Sequence, residues 1–549
     1  MPGGDSNSTT LNLAAAALSS FEQPWGGWRG PLCAHAPLEA LAVICALPEP
    51  GRSRLDAAAE ALLARLNGAG AATLYPGGPP DAGACVLAYT ALKLAGLPAT
   101  AEPLVKLREH VHALGGLQAA DPYTRLLLAI FHLYPGEHLP PLPPPREWAK
   151  LPAWTRAALL PLSRLHARHI VGGQPRPAPA GFTVSELVRA DLPLSDPVAG
   201  PKAGLMERIA GWLRREPASP SLAPLPKAEE GLEPTPGLWL TQLAAGTRLP
   251  EDFVAAATPA RDTALALLAH PEPPAEAVAW LRSRALPGAG WARQFAAEFH
   301  VHTEETALAL LALRRVAPEP PVSQEALNWL RRQQGRHGGW AACDVGLDEP
   351  FRPALPFPGA YSGADPACPA LTGMALEALV EYGASPADEV VRRGVDFLVA
   401  AQLPRDGSWC SRWGIHYLHG VCFALRGLRA AGFDDHDAVV LRAGEWIRSI
   451  QNADGGWGES AASLEKGEFV EAASNATQTA WAVLGLMAGG DRASESVRRG
   501  VEYLYQTQGA SGGWPAPLPT VLHAPPALFL TNPLDAVAFP MLALREARG

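Results

Sequence analysis

Two kinds of apolar run alternate along the second half of the chain. One kind is nearly free of charge, as in Thr306-Ala-Leu-Ala-Leu-Leu-Ala-Leu313 and Gln478-Thr-Ala-Trp-Ala-Val-Leu-Gly-Leu486. The other spaces its apolar residues helically among charges: Ala326-Leu-Asn-Trp-Leu330, Gly394-Val-Asp-Phe-Leu398, Ala443-Gly-Glu-Trp-Ile447 and Gly500-Val-Glu-Tyr-Leu504. A helix apolar all round is buried, whereas an amphipathic one keeps a wet face. The alternation therefore predicts an inner ring of helices wrapped by an outer ring, a double-layered α/α barrel.

A short repeat marks the joints between these runs. Gln334-Gly-Arg-His-Gly338-Gly-Trp340, Gln451-Asn-Ala-Asp-Gly455-Gly-Trp457 and Gln508-Gly-Ala-Ser-Gly512-Gly-Trp514 share one pattern. Gln402 to Trp409 carries it with one insertion, Gln23 to Trp28 is a shorter copy, and Trp291 keeps the glycines without the Gln. Copies lie roughly one helical hairpin apart, the signature of a repeat architecture. Glycine supplies the turn dihedrals, and Gln and Trp would tie an outer helix to its neighbour. The motif reads as scaffold, with no catalysis placed on it.

Composition adds limits. The 549 residues carry a net charge of −9, 48% are apolar and 18% charged, so a large core is expected and disorder is not. An acidic chain without a long basic run argues against nucleic acid as partner. Tryptophan (16) outnumbers tyrosine (9), as a motif with one Trp per copy would require. The cysteines at 33, 45, 85, 343, 368, 410 and 422 form no CxxC pair, which reads as free thiols in a reducing cytoplasm. Met1 to Ser20 lacks the pattern of a signal peptide. The longest apolar stretch, Leu522 to Leu544, is broken by prolines and Asp535, so no membrane span is expected.

These repeats resemble the QW motifs of the squalene-hopene and oxidosqualene cyclases, the class II terpene cyclases. Asp406-Gly-Ser-Trp-Cys-Ser-Arg-Trp-Gly-Ile-His-Tyr417, Asp454-Gly-Gly-Trp-Gly-Glu-Ser460 and Thr477-Gln-Thr-Ala-Trp481 are similar to family signatures in family order. Gly290-Trp-Ala-Arg-Gln-Phe295, running to Glu304-Glu-Thr-Ala307, resembles the acid-bearing segment. The resemblance implies an all-α fold of two α/α-barrel domains. Residues 1–20 would be the first helix of one barrel, 21–255 an inserted second barrel, and 256–549 the remainder with the acid. It also implies acid-initiated cyclisation of an isoprenoid through carbocations, without cofactor or metal.

The family writes its acid as the middle Asp of D-x-D-D-T-A. Here His302-Thr-Glu304-Glu305-Thr-Ala307 puts Glu304 at the acid's place, His302 for the first Asp and Glu305 for the last. The resemblance thus implies Glu304 as general acid, oriented or tuned by Glu305 and His302. A protonated His302 would favour ionised Glu304, while a neutral one is compatible with opening an epoxide. The alternative is that both glutamates only cap the helix that follows.

Several positions depart from the family's aromatic pocket. Arg293 and Arg261 stand where cation-facing aromatics are usual, as do Gly136, Asn532 and Asp535, while His416 and His419 replace Asn and Tyr. Two arginines would repel a carbocation but bind a phosphate or carboxylate bidentately; the alternative is a surface position. Trp413, Tyr417 and His416 are expected to line the same substrate cavity. The stretch Gly200 to Asp252 is short and rich in Pro and Glu where squalene-using members carry a membrane-facing patch. Membrane association is therefore expected to be weak or absent, and the substrate oxygenated or diphosphate-bearing rather than squalene.

Two other readings stay open: a repurposed member with a polar pocket acting on a small anionic substrate, and a non-catalytic lipid-binding module. Glu298, His300, His302 and Glu304 alternate, which would let an extended segment present metal ligands on one side. The cytoplasm is the expected compartment, and a homodimer is compatible with the sequence.

Overall fold

The computed structural model describes residues 4–24, 26–28, 33–34, 40, 59–139, 142, 147, 150–156, 182–192, 258–293, 301–316, 321–348, 363–523 and 528–548. The stretch Gly200 to Asp252, the boundary between 255 and 256, Glu298 and His300 lie outside them. The chain opens with α1 (Gly4–Ser19), and α2 (Ala82–Leu94), α3 (Glu102–Ala113) and α4 (Pro122–Ile130) follow. Five hairpins come next: α5 (Pro259–Ala269) with α6 (Ala275–Ser283), α7 (Thr303–Val316) with α8 (Pro321–Arg332), α9 (Pro369–Glu381) with α10 (Glu389–Ala401), α11 (Tyr417–Ala430) with α12 (Ala438–Ser449), and α13 (Ala476–Ala488) with α14 (Glu495–Thr507). The last helix is α15 (Asp535–Glu546).

The nearly uncharged helices α5, α7, α9, α11, α13 and α15 pack in that order, and α15 returns against α5 to close a ring. Each has an amphipathic partner outside it, and the partner of α15 is α1 from the other end of the chain. The ring is tight because its helices are rich in small residues. At Gly373 of α9 a Cβ would lie 1.9 Å from the Phe423 carbonyl oxygen of α11, so those backbones touch.

The repeat turns act as rivets. The indole Nε1 of Trp291, Trp340, Trp409, Trp457 and Trp514 each donates to a carbonyl near the end of the preceding outer helix, at 2.7–2.8 Å. Those carbonyls lie in the last turns, where the regular helical ladder runs out. Gln334, Gln402 and Gln451 each close their own turn and reach the next outer helix at Val390, Val439 or Ser496. Gln508 reaches Thr10 of α1, which joins the two chain ends. The glycine at the turn is required: Gly338 has φ +89°, and a Cβ there would meet the Arg393 carbonyl oxygen at 2.1 Å.

The described N-terminal helices hold their own core, where Tyr89, Leu104 and Leu127 are buried. One feature departs from an all-helical reading: β1 (Cys33–Ala34), β2 (Val521–His523) and β3 (Leu528–Thr531) form an antiparallel sheet in the order β1-β3-β2. This sheet bonds to the segment before α11, with Leu522 N–H on the Trp413 carbonyl and Ile415 N–H on that of Thr520. Among the described residues no helix is long and apolar enough to cross a membrane. Cys85, Cys343, Cys368, Cys410 and Cys422 are free thiols.

Candidate active site

The inner helices are apolar along their length but polar in their first turns. Arg261 and Asp262 open α5, Glu304 and Glu305 open α7, and Asp535 opens α15, all of them buried. These three helices are neighbours in the ring, so one end of the barrel gathers the charges of three separate segments. Helix N-termini favour carboxylates there through their free N–H groups and dipoles. The capping role and a catalytic role for Glu304 and Glu305 are therefore compatible.

Arg261 is the hub. Its Nε donates to Glu304 Oε1 at 2.8 Å, while Nη1 and Nη2 hold the two Asp535 oxygens at 2.7 and 3.1 Å. Nη1 also lies 3.4 Å from Asp262 Oδ1, which accepts from Asn532 Nδ2 at 3.0 Å. Arg293 takes the other side of Glu304, with Nη1 at 3.3 Å from Oε2 and 3.6 Å from Glu305 Oε1. Its guanidinium sits 4.7 Å over the Trp413 ring, a cation–π contact. His302 lies 3.4 Å from the same Nη1 through Nε2, and its Nδ1 is 2.6 Å from Glu305 Oε2. A surface position for either arginine is excluded, since both are about as buried as the core aliphatics.

Burial alone would push the Glu304 carboxyl up, but Arg261, then Arg293, outweigh it and hold the group at about 2. Glu305 is likewise kept below its ordinary value against burial, by His302 and then Arg293. For Asp535 burial prevails: it stands above the ordinary aspartate value although Arg261 grips both oxygens, because that guanidinium is shared with Glu304. Asp262, Glu304, Glu305 and Asp535 are four buried carboxyl groups facing two guanidinium groups, so the carboxyls outnumber the arginines. His302 Nδ1, the atom that faces Glu305, also accepts the Glu304 backbone N–H at 3.2 Å. The donor atoms of His302, Glu304 and Glu305 lie within 4.8 Å of one another, but a cation there would meet the charges of Arg261 and Arg293.

Other expected site residues lie around this network. Trp413 adjoins it, its ring edge-to-face with that of His302 at 5.0 Å between ring centres. His416 and Tyr417 start α11 and give their backbone N–H groups to buried Glu459. The Tyr417 hydroxyl accepts from Arg405, and neither residue has a described contact with the Glu304 cluster. Burial keeps the His416 imidazole down at about 4. His419 is a different matter: burial lowers it to about 3 against the pull of nearby Glu304. Asp262, Glu459 and Trp154 were not anticipated. The Arg-Asp dipeptide at 261–262 was a usable signal for the first. Trp154 reaches from the N-terminal half onto Trp413, 5.2 Å between ring centres, while Arg156 and the Ala153 N–H engage Asp344.

This arrangement, an acid segment at one end of an α/α barrel of riveted hairpins, has sequence relatives. Residues 236–549 match the squalene-hopene cyclase C-terminal domain family, and residues 11–203 match the squalene-hopene cyclase N-terminal domain family. The chain belongs to the squalene-hopene cyclase family. It is 31% identical to the squalene--hopene cyclase of Alicyclobacillus acidocaldarius, over 97% of this chain and 96% of that one. Identity to the Zymomonas mobilis squalene--hopene cyclase is 27%, over 100% and 96%. The ent-copalyl diphosphate synthase of Streptomyces platensis shares the fold at a TM-score of 0.56 and 19% identity, over 100% of both chains. The chain is thus an enzyme of the class II terpene cyclase kind, mostly helical as that family requires.

Proposed function

We propose that this family member cyclises an isoprenoid carrying an oxyanion head group, with Glu304 as an acid that the substrate itself releases. The observation behind this reading is the clamp: each Glu304 oxygen is held by a different arginine, and the group is ionised at about 2. Such a carboxylate cannot protonate an alkene. A phosphate or carboxylate head group competes for guanidinium, and Arg293 is the looser partner, at 3.3 Å against 2.8 Å for Arg261. Once Arg293 turns to the head group, Glu304 loses one opposing charge and its proton affinity rises.

Glu304 then takes up a proton from solvent and passes it to a terminal alkene carbon. The neighbouring π pair closes the ring, and loss of a proton from the final cation makes the reaction an isomerisation. The face of Trp413 that carries the Arg293 guanidinium at rest becomes available to the developing carbocation. Trp154 packs edge-on behind it.

A second reading is favoured by the same ionised Glu304: a base acting on a small anionic substrate held by Arg261 and Arg293, with no carbocation. Incubation with farnesyl diphosphate, geranylgeranyl diphosphate, squalene and oxidosqualene separates the two. The proposal expects cyclic product from a diphosphate and little from squalene. Cyclisation of squalene in preference to both diphosphates would overturn the head-group assignment. No cyclic product from any of the four would favour the second reading.

A further inference from the structure

The opposite end of the same barrel holds a well of about 320 Å³ to which all six inner helices contribute. Leu265, Leu308, Phe423, Leu484, Phe539 and Leu542 form its apolar wall. Phe423 and Phe539 pack against each other, and behind them His419 and Trp481 separate the well from the Glu304 cluster. It is thus a compartment distinct from the acid end.

Its rim is cationic. Arg426 is fully engaged, with Glu377 on one side and Glu546 on the other. Arg314, Arg315 and Arg545 also line the well, and among the described residues none of the three pairs with a carboxylate. The lining as a whole holds four arginines against Glu377, Glu381 and Glu546, so one positive charge is in excess. Arg315 donates to the carbonyls of Leu267, Leu268 and His270, and Arg545 to that of Ala269, so both cap the end of α5. Capping accounts for one N–H of Arg545, and among the described residues no further hydrogen bond is made by its guanidinium. Burial, then the charge of Arg545, lowers Arg315 to about 10, and burial lowers Arg545 as well. The rim thus carries one excess positive charge, with Arg314, Arg315 and Arg545 outside the Arg426 ion pairs among the described residues.

We infer that this well binds a small amphiphilic anion, its carboxylate or phosphate head on Arg545 and Arg314 and its short apolar tail among the leucines and phenylalanines. An apolar body with a few convergent polar groups is the usual form of a ligand pocket, and the volume sits at the small end of the common range of roughly 300–1,000 Å³. Chain length is thereby limited and the head must be negative, since guanidinium pairs best with oxyanions.

Calorimetric titration of the full chain with decanoate, geranyl phosphate, decanol and decyltrimethylammonium tests this. Saturable binding of one or both anions is expected, roughly tenfold or more tighter than the alcohol, with none of the cation. Binding of decanoate alone would point to fatty acids, and of geranyl phosphate alone to prenyl phosphates. Because the acid end is proposed to take an anionic head on Arg293, the variants are compared in an Arg293→Gln background. There Leu542→Trp, which fills the well, should abolish the remaining binding, and Arg545→Gln and Arg314→Gln should each weaken it about tenfold. In that same Arg293→Gln background, Glu304→Gln should leave it unchanged. Should Leu542→Trp fail to fold by circular dichroism, exposed Arg314 still decides the matter with Arg314→Gln. Absence of anion binding would overturn the inference. So would equal affinity for decanol, or binding that survives the well variants and disappears in Glu304→Gln.

Discussion

Replacing Glu304 by Gln should slow formation of cyclic product by roughly 10²–10⁴-fold, the range that a positioned general acid supplies. The substitution keeps the shape of the side chain and leaves Arg261 bound to both Asp535 oxygens, so the chain should remain folded. Glu304→Asp shortens the acid by one methylene to the residue the family resemblance expects at this place, and should retain part of the activity. Arg293→Gln separates clamp from acid. It should raise KM for a diphosphate, because the head group loses a partner, with a smaller effect on kcat. Product time courses by gas chromatography read all three. Cyclic product formed at an undiminished rate by Glu304→Gln would remove Glu304 from the acid role.

Arg261→Met should be the most destabilising single change at the site. It strips the counter-charge from Asp535 and half the clamp from Glu304, both buried. Removing one partner of a buried ion pair costs roughly 3–5 kcal/mol, because the other charge is left in an apolar surrounding. Adding Asp535→Asn should recover part of this, since the amide no longer needs the guanidinium. Thermal melts of the two variants against wild type check the prediction; an Arg261→Met melt within a degree or so of wild type would contradict it.

The pH dependence follows from the same residues. Glu304 stands at about 2 against an ordinary 4.5, so its contribution to stability is fully present above about 4.5 and is lost as pH falls toward 2. Asp535 is displaced the other way by burial, and its ionisation costs the fold at neutral pH. Glu304→Gln should therefore flatten the acid side of the stability profile.

Much of the barrel was legible in the sequence because its signals are local. The alternation of uncharged and amphipathic runs, and a Gln and a Trp a few residues apart, are set by contacts within one hairpin and with the next. At the acid end the residue types were legible but their partners were not. Arg261 and Glu304 belong to different helices, and nothing near either says that the arginine would bind the acid at rest instead of waiting for a substrate. The same holds for Trp154 on Trp413, a contact between the two halves with no periodic pattern behind it. Tyr417 illustrates the reverse: its position beside Trp413 suggested the cavity, but the start of α11 turns its hydroxyl toward Arg405.

The central claim is that an anionic substrate head converts clamped Glu304 from carboxylate to acid. Infrared difference spectra of the chain with and without a non-cyclisable prenyl diphosphate, in wild type and in Glu304→Gln, test it most directly. The account predicts a protonated-carboxyl band that grows on binding in wild type and is missing in Glu304→Gln. A Glu304 that stays ionised in the complex while the wild-type enzyme still cyclises its substrate would contradict it.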